Sequence, residues 1–401
     1  MELRSELATE NYTNTKIVDQ WLRELDAVLP RAVALRHEIH SNPCLSGAEE
    51  PTVELFEQWS GLKLERVAQT GGLVRIGQPT GPAIALRADL DALPVQEQTG
   101  WSWESRNPSV MHACGHDVHL GALFAVVESA RGIDLPVSMV GILQPREETY
   151  PSGALDITET GRLKELEVQH VIGAHVHPQL PLGSVACDAG FINAAAGEIE
   201  IHISGAGGHG AYPHHANDVA AVTAQIALGL NEVVRRNLNP MDPAVVSIGT
   251  ISVGDGAANV LPEQGRILAT VRGISLENNG LLADKIRQFA SSVACGLDCV
   301  AEVDYAQGEP ELVNDAELAA AFGILRKEFG LEAAASMRSL GADDFSFYSR
   351  DLPSIMCFVG VGDETASSLH DPRFLPGDEA VGCVARALIC GFLAAAQRMG
   401  A

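Results

Sequence analysis

The run AIALRAD, Ala83–Asp89, decides the fold. It reads as a buried strand that ends on a carboxylate, Asp89. Similar apolar runs lie on both sides: GLVRIG at 72–77, VSMVGILQP at 137–145, QHVIGAH at 169–175 and SIMCFVG at 354–360. Helical patterns alternate with them. HLGALFAVVESARG spaces Leu120, Leu123, Phe124 and Val127 on one face, and the stretch to about residue 60 reads as two helices. Strands alternating with helices predict an α/β domain with a largely parallel sheet.

Residues 190–307 follow a different pattern. EIEIHI sets Ile199, Ile201 and Ile203 against Glu198, Glu200 and His202, a half-buried strand. A helix carrying Val219, Val222, Ile226, Leu230 and Val233 comes next. The strands AVVSIGTIS and GRILATVRG, a helix with Leu282, Ile286, Phe289 and Val293, and the strand CVAEVDY complete the set. The order β-α-β-β-α-β is ferredoxin-like. Residues 1–189 and 308–401 therefore form the two segments of one catalytic domain, and 190–307 an inserted lid or dimerisation domain.

The chain has 401 residues and a net charge of −25, from 27 Lys plus Arg against 52 Asp plus Glu. Such a surface argues against nucleic acid and anionic membranes as partners. No apolar run approaching the roughly 20 residues of a bilayer span is read, and the start MELRSELATE does not resemble an export signal. A cytoplasmic location is expected, with the eight cysteines as thiols or ligands.

In open α/β sheets ligands bind beyond the carboxyl ends of the strands. Asp89, Glu147, Glu148 and His175 collect there. MHACGHDVHL, residues 111–120, packs Cys114 and three histidines just before a predicted helix. In extended chain Cys114 and His116 point the same way. A thiolate, imidazoles and a carboxylate suit zinc. The plainer alternative is a buried thiol beside surface histidines, with Asp117 a simple N-cap. Glu147-Glu148 alone reads equally as a solvated acidic pair. His202 reads as structural, and His37 and His40 as helical residues without an obvious partner.

The ordered motifs RADLDALPVQE (87–97), MHACGHDVH (111–119), QPREE (144–148), GAHVHPQLPLG (173–183), GGHGAYPHHANDV (207–219), NVLP (259–262), GADDFSFY (341–348) and LHDPRF (369–374) change the weighing. With them the chain resembles the co-catalytic-metal aminoacylase/carboxypeptidase family. Its nearest branch holds hippurate hydrolases, N-acyl-amino-acid amidohydrolases and auxin-conjugate hydrolases. The resemblance implies two divalent metal ions held by Cys114, His116, Glu148, His175 and His370. Zinc is the expected metal, with manganese, cobalt or nickel as alternatives. Glu147 would be the general base toward a metal-activated water, Asp89 would orient a ligand, and His209 would donate to the oxyanion. Asn259 and Arg272 would hold the substrate; by itself Arg272 reads equally as a surface ion pair. His112 and His119 are assigned no ligand role. Cys44, Ala206 and Asp343 depart from the branch's usual acidic residue, lysine and glutamate, which bears on substrate preference. The implied activity is hydrolysis of the amide bond of N-acyl amino acids. A dipeptidase or carboxypeptidase, or a non-catalytic metal-binding relative, is the alternative. The resemblance further implies a homodimer paired through the inserted domain, with His209 completing the neighbouring site.

Overall fold

The computed structural model describes residues 2–362 and 366–400, leaving aside the side chains of residues 2–15. Two compact units divide the chain. One comprises residues 1–190, 313–337 and 347–401, and the other residues 191–312 and 338–346.

The first unit is built on an eight-stranded sheet. In spatial order its strands are Glu65–Val67, Gly71–Ile76, Ser138–Gln144, Ala83–Asp89, Val168–Pro181, Ser354–Gly362, Ser184–Ala186 and Glu332–Ala333. The middle four run parallel, so their carboxyl ends share one edge. Every residue of Ala83–Asp89 and of Ser138–Gln144 is buried. Two-sided burial is why these strands read as continuous apolar runs. Helices Glu2–Ser41, His116–Ala130 and Glu379–Arg398 contribute Trp21, Leu25, Leu35, Phe124 and Phe392 to the core. The Trp21 indole donates to Ser129 Oγ at 3.0 Å and meets the Phe392 ring edge-on. Each such large apolar side chain stabilises the unit by roughly 1.5–3 kcal/mol.

Helix Glu379–Arg398 is 20 residues long and apolar enough to cross a membrane by length and composition, a feature missed in the sequence reading. In the fold 83% of its apolar window is buried inside the protein, as in a core helix. A Cβ on its Gly391 would lie 2.5 Å from Ile172, so glycine lets the helix lie directly on the sheet.

The second unit is an antiparallel sheet ordered Ala244–Val253, Gln264–Gly273, Ala195–Ser204, Val300–Gln307, with helices Val219–Asn237 and Leu276–Cys295. Ile199, Ile201, Ile203, Ile267 and Val271 meet Val222, Ile226, Leu230, Leu282 and Ile286 in one core. The opposite sheet face is polar: Glu200 is paired with both Arg266 and His202. Asp218 caps the first helix by accepting the Ala221 N–H at 2.9 Å, and Ser275 caps the second by accepting from Asn278 at 3.1 Å. The chain is thus an α/β protein with an inserted βαββαβ domain.

Candidate metal centre

The parallel strands of the first unit deliver polar side chains to one edge. Asp89 ends its strand and Asp91 follows two residues later. Glu147 and Glu148 follow Ser138–Gln144, and His175 lies on Val168–Pro181. Gly115 takes a left-handed conformation (φ 84°) as N-cap of helix His116–Ala130, and a Cβ there would meet Val176 at 2.5 Å. Only glycine combines this φ with so close an approach. The turn presents Cys114 and His116 on either side of it. His370, also left-handed (φ 67°), donates its backbone N–H to the Ala113 carbonyl at 2.8 Å, tying its loop to the same turn.

The ligand atoms of Cys114, His116 and Glu148 all lie within 4.8 Å of one another. Cys114 Sγ is 3.5 Å from His175 Nε2, and His370 Nε2 is 3.3 Å from Glu148 Oε1. The five expected ligands therefore meet through short contacts. Glu147 Oε2 stands 3.8 Å from His116 Nε2.

Tautomers separate the histidines. His116 Nδ1 lies 2.8 Å from the Asp91 carbonyl and donates to it, leaving Nε2 as the nitrogen that would face an ion once deprotonated. His175 Nδ1 likewise donates to the Val176 carbonyl at 2.7 Å. His119 also lies within reach of Asp89, His116 and His175. Its Nε2, however, accepts the Val176 N–H at 3.0 Å, so its Nδ1–H must donate to Asp89 Oδ1 at 2.6 Å. His119 keeps no lone pair for an ion. Asp89 is buried between His119 and Arg87, whose guanidinium also donates to Gln144.

Charge and unmet bonding both suit a cation here. His116 Nε2 is buried without a hydrogen-bond partner among the described residues, and Glu148 Oε1 is buried beside the His370 ring. Burial opposes charge on His116, but Asp89, Asp91 and Glu148 outweigh it and push the imidazole up to about 10. Burial, helped by Glu148, Glu147 and Asp89, holds the Cys114 thiol well above its ordinary range. A thiol, imidazoles and carboxylates crowded together form, once a divalent ion displaces these protons, a donor set for ions of borderline softness.

Some expectations need correction. The histidines around Cys114 are not at the surface: His112, His116 and His119 are all buried. Asp117 does not cap the helix, because Gly115 holds the N-cap position; Asp117 lies inside the helix and meets Arg36 at 2.8 Å. His40 does have partners, Asp117 and Glu97, each at 3.2 Å. Sequence reasoning also missed Asp91, whose carbonyl sets the His116 tautomer. Its only signal was its place two residues beyond the Asp89 strand end.

In the second unit, His209 and Val260 pair in a two-stranded ladder, and the Asn259 carbonyl accepts the Gly210 N–H at 2.8 Å. The ladder thus brings His209 and Asn259 together, with both side chains exposed. Arg272 is half-buried on Gln264–Gly273, facing opposite to buried Ile267 and Val271 as expected.

Residues 85–389 match the family described as Peptidase family M20/M25/M40. A Synechocystis protein named "Probable hydrolase sll0100" is 36% identical, over 88% of this chain and 93% of its own. N-acetyldiaminopimelate deacetylase of Shouchella clausii is 32% identical, over 87% and 94%. Among solved structures, the Bacillus subtilis YXEP protein, described as a dinuclear metal binding peptidase of the M20 family, superposes with a TM-score of 0.80. It is 28% identical and is covered over 98% of its length by 92% of this chain. The chain belongs to peptidase family M20/M25/M40 and is a hydrolase of amide bonds.

Proposed function

We propose that the protein removes the acyl group from N-acyl amino acids. The observation that carries this reading is the Cys114, His116 and Glu148 cluster, whose ligand atoms all lie within 4.8 Å of one another. Two relatives named N-acetyldiaminopimelate deacetylase, from Shouchella clausii and Bacillus cytotoxicus, support the substrate class. Cys114, His116, Glu148, His175 and His370 would hold two divalent ions, zinc first, with manganese, cobalt or nickel as alternatives. When bound, such ions polarise an amide carbonyl and lower the pKa of water.

The rest falls to side chains. Glu147, beside Glu148 and 3.8 Å from His116, takes the proton of the attacking water and returns it to the leaving nitrogen. Asp89 holds His119, whose other nitrogen accepts the Val176 N–H next to His175. His209 donates to the oxyanion, and Asn259 and Arg272 bind the substrate carboxylate, for which a guanidinium is the matching fork. A homodimer through the inserted domain fits strand Ala244–Val253, which pairs on one side only among the described residues and exposes Ile251.

The test is a panel of N-acetyl and N-benzoyl amino acids against dipeptides, with zinc, manganese, cobalt and nickel supplied in turn. Release of acid from N-acyl amino acids supports the reading. Preferential dipeptide cleavage would make the protein a dipeptidase with the same side-chain chemistry.

A further inference from the structure

Glu49 stands immediately before helix Glu50–Ser60 and is completely buried. It occupies the N-cap position, yet its side chain makes no capping bond to its own helix. Both carboxyl oxygens reach elsewhere. One accepts the Thr70 hydroxyl at 2.6 Å, and the other accepts the backbone N–H of Arg146 at 2.8 Å. One partner lies at unusual backbone and the other directly follows it. Arg146 is left-handed (φ 49°), as are Ala68 and Gln69 (φ 48° and 70°) just before Thr70. Residues other than glycine adopt this conformation only where their surroundings impose it.

Arg146 directly precedes Glu147 and Glu148, so its torsion aims both. The loop it opens is tight: the Arg146 carbonyl accepts the Gly153 N–H at 3.1 Å, and a Cβ on Gly153 would lie 1.7 Å from the Pro145 carbonyl. A second clamp holds the other side of the pair. Asp91 Oδ2 accepts the Glu148 N–H at 3.0 Å and the Ser46 hydroxyl at 2.6 Å. Residues Ser46 and Glu49, in one short segment, therefore serve both clamps.

We propose that Glu49 is a positioning residue for the tandem glutamates: by bridging Thr70 Oγ1 and the Arg146 N–H it fixes the turn that orients Glu147 and Glu148. The proposal rests on the roles given to those two residues above. What matters in this arrangement is reach. A glutamine has the same length; its amide oxygen can accept from Arg146 while its NH2 donates to Thr70. An aspartate keeps the acid but is one methylene short, and it remains a favoured N-cap, so helix Glu50–Ser60 still forms.

The experiment compares Glu49→Gln and Glu49→Asp with the parent by kcat, KM, manganese affinity from calorimetry on metal-stripped protein, and Tm. The expected result for Glu49→Asp is a kcat about 10–100-fold lower, the scale of an ångström-sized misplacement. Its KM should hold steady and its manganese affinity should fall, because Glu148 moves with the turn. Glu49→Gln should recover kcat and manganese affinity together. Parent-like kcat and manganese affinity in Glu49→Asp would overturn the proposal. So would damage in Glu49→Gln as large as in Glu49→Asp, because a side chain of full reach would then fail to hold the turn, or a lowered Tm with kcat unchanged. The calorimetric arm does not depend on Glu147 being the base. Were Glu147→Gln to turn over normally, the base assignment would fail while weakened manganese binding in Glu49→Asp would still locate Glu49 behind Glu148.

Discussion

The two sheets of this chain keep their polar residues in different places. In the first unit, strands buried on both faces hold few polar side chains, each of them paired, and the carboxylates gather at the strand ends, where Asp89, Glu147 and Glu148 lie. In the second, one sheet face is open to solvent, and on it Glu200, His202 and Arg266 form a solvated network. Burying a charge costs several kcal/mol unless it is paired. A carboxylate at a buried strand end is therefore informative, whereas one on an open sheet face is not. His209 and Asn259 belong to the second kind of surroundings, and only the resemblance distinguished them from any exposed loop residue.

The largest expected effect lies at the buried edge. Cys114→Ala should stay soluble, lose part or all of its bound metal and lose nearly all activity. Metal analysis beside an activity assay decides it; full occupancy with full activity would remove Cys114 from the ligand set. Glu147→Gln comes next. It should keep metal and lose about 10²–10⁴ in turnover, the range for a general base. Glu148→Gln should instead weaken metal binding, so the two neighbours should fail in different assays.

The exposed loop gives the third test. His209→Ala should retain metal and Tm and lose about 10²–10³ in kcat, the scale of one oxyanion donor. Mixed dimers of His209→Ala with Glu147→Gln should regain activity if subunits share sites. A His209→Ala enzyme with parent kcat would end the role assigned to this histidine, and with it the contrast between a metal-holding edge and a substrate-holding loop.

How much could be read in advance follows from the same contrast. The strand Ala83–Asp89, the four buried parallel strands and the β-α-β-β-α-β order were legible because burial writes itself into local apolar patterning. The ligand types and the Gly115 turn were legible because they crowd into a few residues. What stayed hidden depends on distant partners. Arg36 and Asp117 are 81 residues apart in sequence, and Glu49 and Arg146 are 97 apart. Nothing local distinguishes His40 from His37 on the first helix. Yet His40 is buried against two carboxylates, while His37 pairs with half-exposed Asp378. Tautomer choices such as that of His119 likewise exist only once the Val176 backbone lies beside the ring.

The smallest expected effect, and the one that tests the scaffold rather than the chemistry, is a pH dependence of stability carried by His40. Burial disfavours its charged form, but Asp117 and Glu97 more than compensate, and its pKa is pushed up to about 9. Arg36, His112 and the Trp103 ring edge complete its surroundings. The unfolded chain releases this proton near pH 6.5, so the folded state binds it more tightly. The resulting stabilisation is complete below about pH 6.5 and is lost as the pH rises through about 9, with an upper bound of about 3 kcal/mol. His112 works in the opposite sense and in a different window. Burial lowers it to about 4, so stability falls as the pH drops from 6.5 toward 4. Urea unfolding of the parent should therefore be most favourable to the native state near pH 6.5. His40→Gln should make the alkaline limb between pH 6.5 and 9 shallower, leaving the part carried by His116, and leave the acid limb in place. An alkaline limb of unchanged slope in His40→Gln would mean that the Arg36–Asp117 pair holds this end of helix His116–Ala130 without a protonated His40.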